Sequence, residues 1–465
     1  MDTVPHGRSS RAPAVDPLPG ALPYGLQREM LLRAEFGTDG HPTGHRYPPV
    51  HELLLLRGPL DPGLLAHAVR QATEGVDVLR GRLRLCGGTV RWLPDLGRPT
   101  ARLEEIEPGP PRQVIRDVLR EAAEASFDLQ HDPAARFLLA RTGPDEHLLL
   151  IALDHACADG RTLVLLVRHL LHRYAVLAGE QVPAPARLPS FGTFAGQFGE
   201  ALPGRAVSRA YWTTALARAE DVRRRPRFPG AADSGVVSFS TDAAAQRALD
   251  AEYVARLNSV AQGVGSDRHR LLLAAVQLVL NAWTDESEPR FVPFNYFRNG
   301  RHLREWLNVP GPLAEHAVTV PTEQEAGTLG DWLTGFVRAN AGAPPFHGLS
   351  LRELETPASE HNRIAVFNFL PPLGRPAAAG LRILPCPPEL AAEMEPDDQS
   401  ARFPLRVRLV QDMDAPLIFR IEHDPRVLPD GAPFLDAALG VVESAAVRPG
   451  LPLGEAYRRI RHHWT

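Results

Sequence analysis

The sequence predicts a mixed α/β (α+β) protein of two lobes, and three observations lead to this. The chain has 465 residues, more than a single hydrophobic core usually organises. Apolar runs of strand length alternate with longer segments whose apolar residues recur at helical spacing. A proline-rich stretch at residues 183–189 has the composition of a linker between lobes. We therefore expect an N-terminal lobe at residues 20–182 and a C-terminal lobe at residues 190–465.

The N-terminal part begins with an expected disordered lead over residues 1–19. This segment is polar and proline-rich, and it lacks the apolar stretch of a secretory signal. Residues 22–32 then have the pattern of a turn followed by a helix, and residues 51–56 that of a strand.

Local signals define the next elements of the N-terminal lobe. Asp61 followed by Pro62 predicts a helix start, because Asp is a good N-cap and Pro is tolerated at the first helical position. Apolar spacing predicts a further helix at residues 114–125. Residues 137–140 and 147–153 are expected to pair as a hairpin around the turn residues Gly143 and Pro144.

The C-terminal lobe continues the alternation of helices and strands. We expect helices at residues 253–264, 269–283 and 433–447, and strands at residues 363–370, 405–410 and 417–422. Residues 374–402 are too long and too proline-rich for an ordinary connection, so they are expected to cross over and latch one lobe to the other. The basic residues 458–463 are expected to form a terminal tail.

Composition and charge count against several classes of function. The formal net charge is −4, and all the Lys+Arg charge comes from Arg; mixed charges give no sign of nucleic-acid or membrane-surface binding. No run approaches the roughly 20 apolar residues of a membrane helix. The three Cys residues form no CxxC pair, and no His cluster has metal spacing. We therefore expect no zinc and no disulfides, a cytoplasmic location, and Cys157 as a buried space-filler.

An acid and a histidine stand at the end of a strongly apolar strand. Residues 148–153 are apolar, Asp154 and His155 follow, and Asp159 and Gly160 precede a segment with helical spacing at residues 163–177. A histidine at the carboxyl end of a strand, before a turn relaxed by glycine, is where many folds hold a general base. The alternative is a plain strand-to-helix turn, in which the second acid caps the helix and the histidine is a surface residue.

The pattern H-x3-D-G, formed by His155, Asp159 and Gly160, resembles the active-site motif of the condensation domains of nonribosomal peptide synthetases. It is also similar to that of the wider chloramphenicol-acetyltransferase-like, CoA-dependent acyltransferase superfamily. Most condensation domains have a further histidine before the catalytic one, and here Asp154 takes its place. The resemblance covers roughly residues 20–455. It implies two chloramphenicol-acetyltransferase-like lobes in a V shape, with the active site in the tunnel between them.

The resemblance also implies roles for individual residues. His155 would act as a base or as a positioning partner for the nucleophile, whereas Asp159 would be structural and paired with an arginine. Arg80 lies on a segment similar to the family's L-R motif and is the first candidate for that arginine. The Gly160 N–H, at a helix start, would stabilise an oxyanion. Asp154 would orient a neighbouring group, and its charge would favour a protonated imidazole.

Three residues of the C-terminal lobe are candidate supporting residues. Asn299 and Arg301 belong to a segment that resembles the family's strand leading to a G-R motif, and Asn368 lies on an apolar strand. A second comparison is with heterocyclization domains, whose D-x4-D-x2-S spacing is matched by Asp154, Asp159 and, in place of Ser, Thr162. Heterocyclization domains lack the catalytic histidine, which this chain keeps, so condensation-like acyl transfer is favoured.

The function implied by the resemblance is that of a free-standing condensation enzyme of natural-product biosynthesis. It would move an acyl or aminoacyl group from a carrier-protein thioester to a small amine or alcohol, forming an amide or an ester. The enzyme itself would bind no cofactor, because the donor arrives on the phosphopantetheine arm of a peptidyl or acyl carrier protein. We expect a monomer without nucleic-acid or membrane partners. The arginines at residues 223–225 are one candidate docking face for an acidic carrier.

Three alternatives stay open at this point. The donor could be coenzyme A, although the C-terminal D-F-G-W-G motif of plant-type relatives is absent. The chain could be a heterocyclization enzyme, as its acid spacing suggests. It could also be a non-catalytic domain that recruits tailoring enzymes, a hypothesis favoured by the missing first histidine and by the bulky residues 295–297.

Overall fold

The computed structural model describes most of the chain from residue 49 onward. The described residues are 49–86, 89–94, 101–106, 112–125, 127, 129, 133–183, 186–197, 204–221, 227–231, 243–284, 291–322, 327–346, 349, 354, 365–370, 379–385, 403–411 and 416–464. The expected lead at residues 1–19, the expected helix at residues 22–32, the arginines at residues 223–225 and most of the expected crossover lie outside these ranges.

Strands and helices alternate through the described part of the chain. The strands are β1 (Val50–Arg57), β2 (Gly81–Cys86), β3 (Thr89–Pro94), β4 (Leu103–Ile106), β5 (Ala135–Gly143), β6 (Glu146–Leu153), β7 (Ala243–Leu249), β8 (Asn295–Arg298), β9 (Glu315–Val318), β10 (Ala365–Leu370), β11 (Arg382–Pro385), β12 (Leu405–Val410) and β13 (Leu417–His423). The helices are α1 (Pro62–Glu74), α2 (Arg112–Glu124), α3 (Gly160–Leu177), α4 (Phe191–Gly196), α5 (Arg205–Asp221), α6 (Ala251–Gly263), α7 (Arg268–Ala282), α8 (Leu329–Ala341), α9 (Gly431–Val447) and α10 (Leu453–His462).

The N-terminal lobe is built on a five-stranded sheet in the order β11-β1-β6-β5-β4. Strand β6 lies at its centre and pairs antiparallel with both β1 and β5, so the expected hairpin is confirmed. Its residues are buried from His147 to Leu153, as the continuous apolar run predicts for a strand covered on both faces. The motif therefore follows the most deeply buried strand of this sheet.

Helices cover both faces of that sheet. Helices α1 and α3 pack against each other and share one core with the sheet, while α2 covers the other face. Helix α1 begins as expected, with Pro62 in its first turn and the Asp61 carboxylate accepting the Leu64 N–H at 3.0 Å. Cap and apolar stripe thus agree on where this helix starts and which face it buries.

The packing of the N-terminal lobe extends past residue 190, where we expected the C-terminal lobe to begin. The Asp77 carboxylate accepts the N–H groups of Phe191 and Gly192 at the start of α4, each at 2.9 Å. The Phe191 ring meets the buried Trp92 edge-to-face, with centroids 5.4 Å apart. A linker composition marks the end of α3, but it does not show to which core the next helix docks.

The C-terminal lobe is built on a six-stranded mixed sheet in the order β7-β13-β12-β10-β8-β9. Its core gathers apolar residues of this sheet and of α5 to α10. Helix α7 lies inside this core and is buried without a break from Leu271 to Ala282. The expected basic tail is wrong: the segment forms α10, which buries Leu453, Ala456, Tyr457 and Ile460. The apolar residues between its arginines recur at helical spacing, which is the pattern of an amphipathic helix and not of a tail.

Two segments of the second half of the chain reach the N-terminal lobe. Strand β11, from within the expected crossover, pairs antiparallel with Leu54–Arg57 of β1. The segment between β8 and β9, residues 299–314, places Trp306, Val309 and Leu313 in the core of the N-terminal lobe. The second of these segments touches the motif.

Candidate active site

A tight turn at the end of β6 carries His155. The Asp154 N–H donates to the Ala134 carbonyl at 3.0 Å, which continues the sheet one residue beyond the strand. The Asp154 carboxylate then accepts the Ala156 N–H at 2.9 Å, and its carbonyl accepts the Cys157 N–H at 2.9 Å. Asp154 and Cys157 are buried, whereas His155 between them is partly exposed. Asp154 thus shapes the turn that presents the histidine, and Cys157 fills space as expected.

Asp159 caps the helix that follows the turn. Its Oδ1 accepts the N–H of Thr162 at 2.8 Å, as expected for an N-cap residue. Gly160 is the first residue of α3 and is partly exposed, so its N–H is one that the helix leaves without an intrahelical acceptor. This geometry fits an oxyanion donor, a role that stays a prediction.

The caps and turns described so far are local, but Asp159 also has a partner from the C-terminal lobe. Arg301 contacts both of its carboxylate oxygens, with Nη1–Oδ2 at 2.8 Å and Nη2–Oδ1 at 3.2 Å. The Ala314 N–H adds a bond to Oδ2 at 2.9 Å. Both charged residues are buried, 3% and 4% exposed. Two parallel N–H···O bonds make this a bidentate pair, the strongest form of such contact.

Arg80 is not the partner of Asp159, so that prediction is wrong. Arg80 ends a short 3-10 turn, Asp77–Arg80, directly before β2. Arg301, expected only as a supporting residue, lies 142 residues from Asp159 in the chain and provides the guanidinium. The resemblance of the segment around residue 80 to a family motif could not show which distant segment packs against the turn that carries His155.

The remaining donors of Arg301 are directed at carbonyl groups of its own segment. They reach Val309 at 3.0 Å and Gly311 at 3.1 Å, and Asn299 through both its carbonyl and its side-chain oxygen at 3.2 Å. Asn299, a candidate supporting residue, is therefore part of this cluster. A buried guanidinium needs such partners, because a missing one would leave a desolvated donor.

Burial and charge act in opposite directions on Asp159. Burial, the largest influence, would raise the pKa of this carboxyl, but the charge and hydrogen bonds of Arg301 and the bonds from Thr162 outweigh it. The net effect holds the pKa below its usual 3.8. Asp159 is therefore ionised at neutral pH and structurally engaged, which does not suit a proton-transfer role.

Thr162 is a site residue that our sequence reasoning did not assign to the condensation-like site. Its fully buried hydroxyl accepts the Gly311 N–H at 2.8 Å, and its own proton faces Asp159 Oδ1 at 2.8 Å and the Gly311 carbonyl at 2.7 Å. Gly311 has φ of +147°, and an added Cβ would lie 2.4 Å from the Phe191 ring. Only glycine fits this close contact, but a lone glycine in a loop gives no such signal in the sequence.

The structure does not bring the last candidate, Asn368, to the turn. Asn368 lies half-buried on β10, in register with Arg408 of β12. Within the described part of the chain, no hydrogen bond joins it to residues 154–160. A different residue, Arg161, does reach across the lobes, with Nη2 at 3.4 Å from Asn308 Oδ1.

Among the residues that the structure describes, no group of three or more His, Cys, Asp and Glu side chains could hold a metal ion. In the same part of the chain, no helix combines the length and the apolar character needed to cross a membrane.

Comparison with known proteins supplies the family. A family model described as "Condensation domain" matches residues 44–302. Chondramide synthase cmdD of Chondromyces crocatus is 26% identical over 295 residues, 62% of this chain but 7% of that protein. Like cmdD, the first curated relatives are much longer than this chain, which spans between 2% and 12% of their lengths.

Solved structures support the fold. The crystal structure of SgcC5 from Streptomyces globisporus has a TM-score of 0.69 at 20% identity, covering 93% of this chain and 100% of that one. The X-domain in complex with OxyB from teicoplanin biosynthesis also scores 0.69, at 19% identity, over 97% of this chain and 99% of that one. At such identities the likeness shows a shared two-lobe α/β fold and nothing about activity.

Proposed function

Because the chain belongs to the condensation-domain family, we propose that it transfers an acyl or aminoacyl group from a carrier-protein thioester to an amine or alcohol. The products would be amides or esters of nonribosomal peptide or related antibiotic biosynthesis, the field of its curated relatives. One observation carries the proposal. The H-x3-D-G turn follows β6 of the N-terminal lobe and is bonded to Arg301 of the C-terminal lobe through Asp159, and it leaves His155 partly exposed at the end of β6.

The chemistry assigned to His155 is proton transfer. The imidazole accepts the proton of the acceptor's N–H or O–H as that atom attacks the thioester carbonyl, forming the new C–N or C–O bond. The carbonyl oxygen becomes an oxyanion, and the Gly160 N–H at the positive end of α3 is the donor that we assign to it. Collapse of the intermediate breaks the C–S bond, and the imidazolium returns the proton to the departing thiolate.

The other motif residues hold this arrangement in place. The Asp154 carboxylate fixes the backbone on the far side of His155, and Asp159 with Arg301 fixes the start of α3. Since Asp159 and Thr162 are buried and bonded to Arg301 and Gly311, neither is positioned to reach a substrate. This geometry gives the heterocyclization alternative no support.

The test is detection of product by intact mass spectrometry. The purified protein, His155→Ala and His67→Ala would be mixed with acyl-loaded carrier proteins and a panel of amines and alcohols. We expect His155→Ala to lower turnover at least about a hundredfold, since general-base catalysis typically contributes that much. His67 is an exposed residue of α1, so His67→Ala should retain full turnover. Turnover that survives in His155→Ala would contradict the proposed role.

A second candidate function is recruitment of a partner enzyme without catalysis. It is favoured by Asp154 at the position of the usual first histidine. The same assay separates the two. No turnover with any acyl-loaded carrier, together with tight binding to a carrier or tailoring enzyme, would favour recruitment. Turnover with acyl-coenzyme A, but with no acyl-loaded carrier protein, would identify coenzyme A as the carrier of the donor acyl group.

A further inference from the structure

The six-stranded sheet has a polar face opposite its core. Along β12, Leu405, Val407 and Leu409 are buried in the core; Arg406 and Arg408 therefore lie on the other face, because side chains alternate along a strand. Register places Arg420 and Glu422 of β13 beside them, and Asn368 of β10 beside Arg408. One face of the sheet thus gathers three arginines and one glutamate.

Glu422 holds these arginines together. Its side chain is 5% exposed, and its carboxylate contacts Arg408 Nη2 at 3.1 Å, Arg420 Nε at 3.2 Å and Arg406 Nη1 at 3.5 Å. The arginine side chains are 20–24% exposed, so the buried carboxylate orients guanidinium groups that still reach solvent. Guanidinium groups held in this way are pre-organised for a second anion, because little rotamer entropy is left to lose.

Strand β8 connects the sheet of the cluster to the motif: β8 pairs with β10, the neighbour of β12, and the segment that follows β8 places Arg301 on Asp159. The charge of Arg408 also acts on His51 of β1: burial, the largest influence, lowers the pKa of His51, a hydrogen bond with the Pro49 backbone raises it, and the charge of Arg408 lowers it. His51 pairs with Ala152 of β6, two residues before Asp154. The polar face and the strand that carries the motif therefore border the same region between the lobes.

We propose that Arg406, Arg408 and Arg420 form a subsite for an oxyanion of a substrate, an inference that rests on the proposed acyl transfer. Planar guanidinium donors match the oxygens of a carboxylate or a phosphate. Both sources occur in this reaction class: an acceptor can carry a carboxylate, and the pantetheine arm carries a phosphate. Asn368, in register with Arg408, borders the subsite as a neutral hydrogen-bonding group.

Equilibrium binding tests the subsite without requiring turnover. By calorimetry, the protein would be titrated with L-phenylalanine and L-phenylalaninamide, and with 4′-phosphopantetheine and pantetheine. In one of the two pairs, we expect the intact protein to prefer the member that carries the carboxylate or the phosphate by roughly ten- to hundredfold, the range of a hydrogen bond to a charged group. The first pair reports a carboxylate on the acceptor, and the second reports the phosphate of the donor arm.

Variants connect the preference to the cluster. Arg408→Gln and Arg406→Gln should abolish it, and Arg408→Lys should restore part of it, since charge remains. Each single variant leaves Glu422 two arginine partners, so the fold should persist. Arg247→Gln is the matched control: Arg247 lies on β7 of the same sheet and contacts Asp436 through two bonds of 2.7 Å, and by alternation it lies on the opposite face. It should keep the preference.

Two results would overturn the subsite. One is that the intact protein prefers neither anion, and the other is that the preference survives both Arg408→Gln and Arg406→Gln. The proposed function can fail independently: an anion preference that depends on Arg408, with no turnover of any donor, would keep the subsite and reject acyl transfer. Turnover without any charge preference would do the reverse.

Discussion

At the scale of single residues, the motif depends on an ion pair between residues far apart in the chain. Asp159 and Arg301 are both buried, and each fills its remaining hydrogen-bonding positions with Thr162, Ala314 and backbone carbonyl groups. A buried pair is not in itself evidence of high stability, because desolvation opposes the Coulomb attraction. Removing one partner is nevertheless strongly destabilising, because it leaves the other charge buried without a partner.

We predict that Arg301→Ala lowers the free energy of unfolding by about 3–5 kcal/mol. Urea denaturation at pH 7 would measure it. Arg57→Ala is the control, because Arg57 pairs with Glu146 at the surface, with side chains 51% and 27% exposed, and such pairs contribute about 1 kcal/mol or less. A loss in Arg301→Ala no larger than in the control would contradict the structural role of the pair.

The same pair has a pH signature. The pKa of Asp159 lies below 3.8 in the folded protein, so the ionised carboxylate stabilises the fold above that pH. Its contribution is lost as pH falls through the lower, folded-state value. The stability difference between the intact protein and Arg301→Ala should therefore be constant near neutral pH and shrink in acid.

At the scale of elements, α3 joins the motif to the core of the N-terminal lobe. One turn beyond its middle, Arg173 Nε donates to His169 Nε2 at 3.0 Å, and Arg173 Nη1 donates to Gln71 Oε1 of α1 at 3.2 Å. His169 is 6% exposed. Burial, with the charges of Arg173 and His172, lowers the pKa of His169 to about 4. The α1–α3 contact thus requires a neutral imidazole.

This contact predicts a loss of stability in mild acid. The unfolded chain binds a proton at His169 near pH 6.5, whereas the folded chain resists it down to about pH 4; stability therefore falls as pH drops through this window. From pH 7 to pH 5 we expect this group to cost about 2 kcal/mol.

The comparison is between urea midpoints at the two pH values. His169→Gln keeps an acceptor for Arg173 without the titrating group, so it should lose less stability than the intact protein between pH 7 and pH 5. His67→Gln, on the exposed face of α1, should behave like the intact protein. Equal acid sensitivity of His169→Gln and the intact protein would contradict the prediction.

At the scale of the whole molecule, residues 299–314 connect the two lobes. Trp306 in this segment is 9% exposed and meets Phe194 of α4 edge-to-face, with ring centroids 5.1 Å apart. Arg301 and Gly311 of the same segment contact the start of α3. A side chain from the C-terminal half therefore supports the position of the motif through packing as well as charge.

We predict that Trp306→Ala speeds amide hydrogen exchange in residues 299–314 and at the start of α3. Removal of a buried Trp typically costs about 3–5 kcal/mol, here at the contact between lobes. Trp332→Ala is the control, because Trp332 stacks on Phe336 within the C-terminal core; its effect should stay in that lobe. Unchanged exchange at the start of α3 in Trp306→Ala would show that packing there does not support the motif.

The parts of the fold that local patterns determine were predictable. The buried strand β6, the cap of α1 and the turn before α3 follow from apolar runs, cap residues and glycine, which act within a few residues. The partner of Asp159 does not, because Arg301 reaches it only once two sheets have formed and packed. For the same reason the docking of α4 on Trp92, and the role of Gly311, had no signature in the sequence.

The position of β11 has a consequence for synthesis on the ribosome. This strand completes the edge of the N-terminal sheet, yet it follows β6 in the chain by more than two hundred residues. At typical translation rates the edge of β1 therefore stays open for on the order of ten seconds or more. An unpaired edge is a template for wrong strand pairing. The nascent chain is thus most exposed to misassembly, and most dependent on chaperones, before residue 385 emerges.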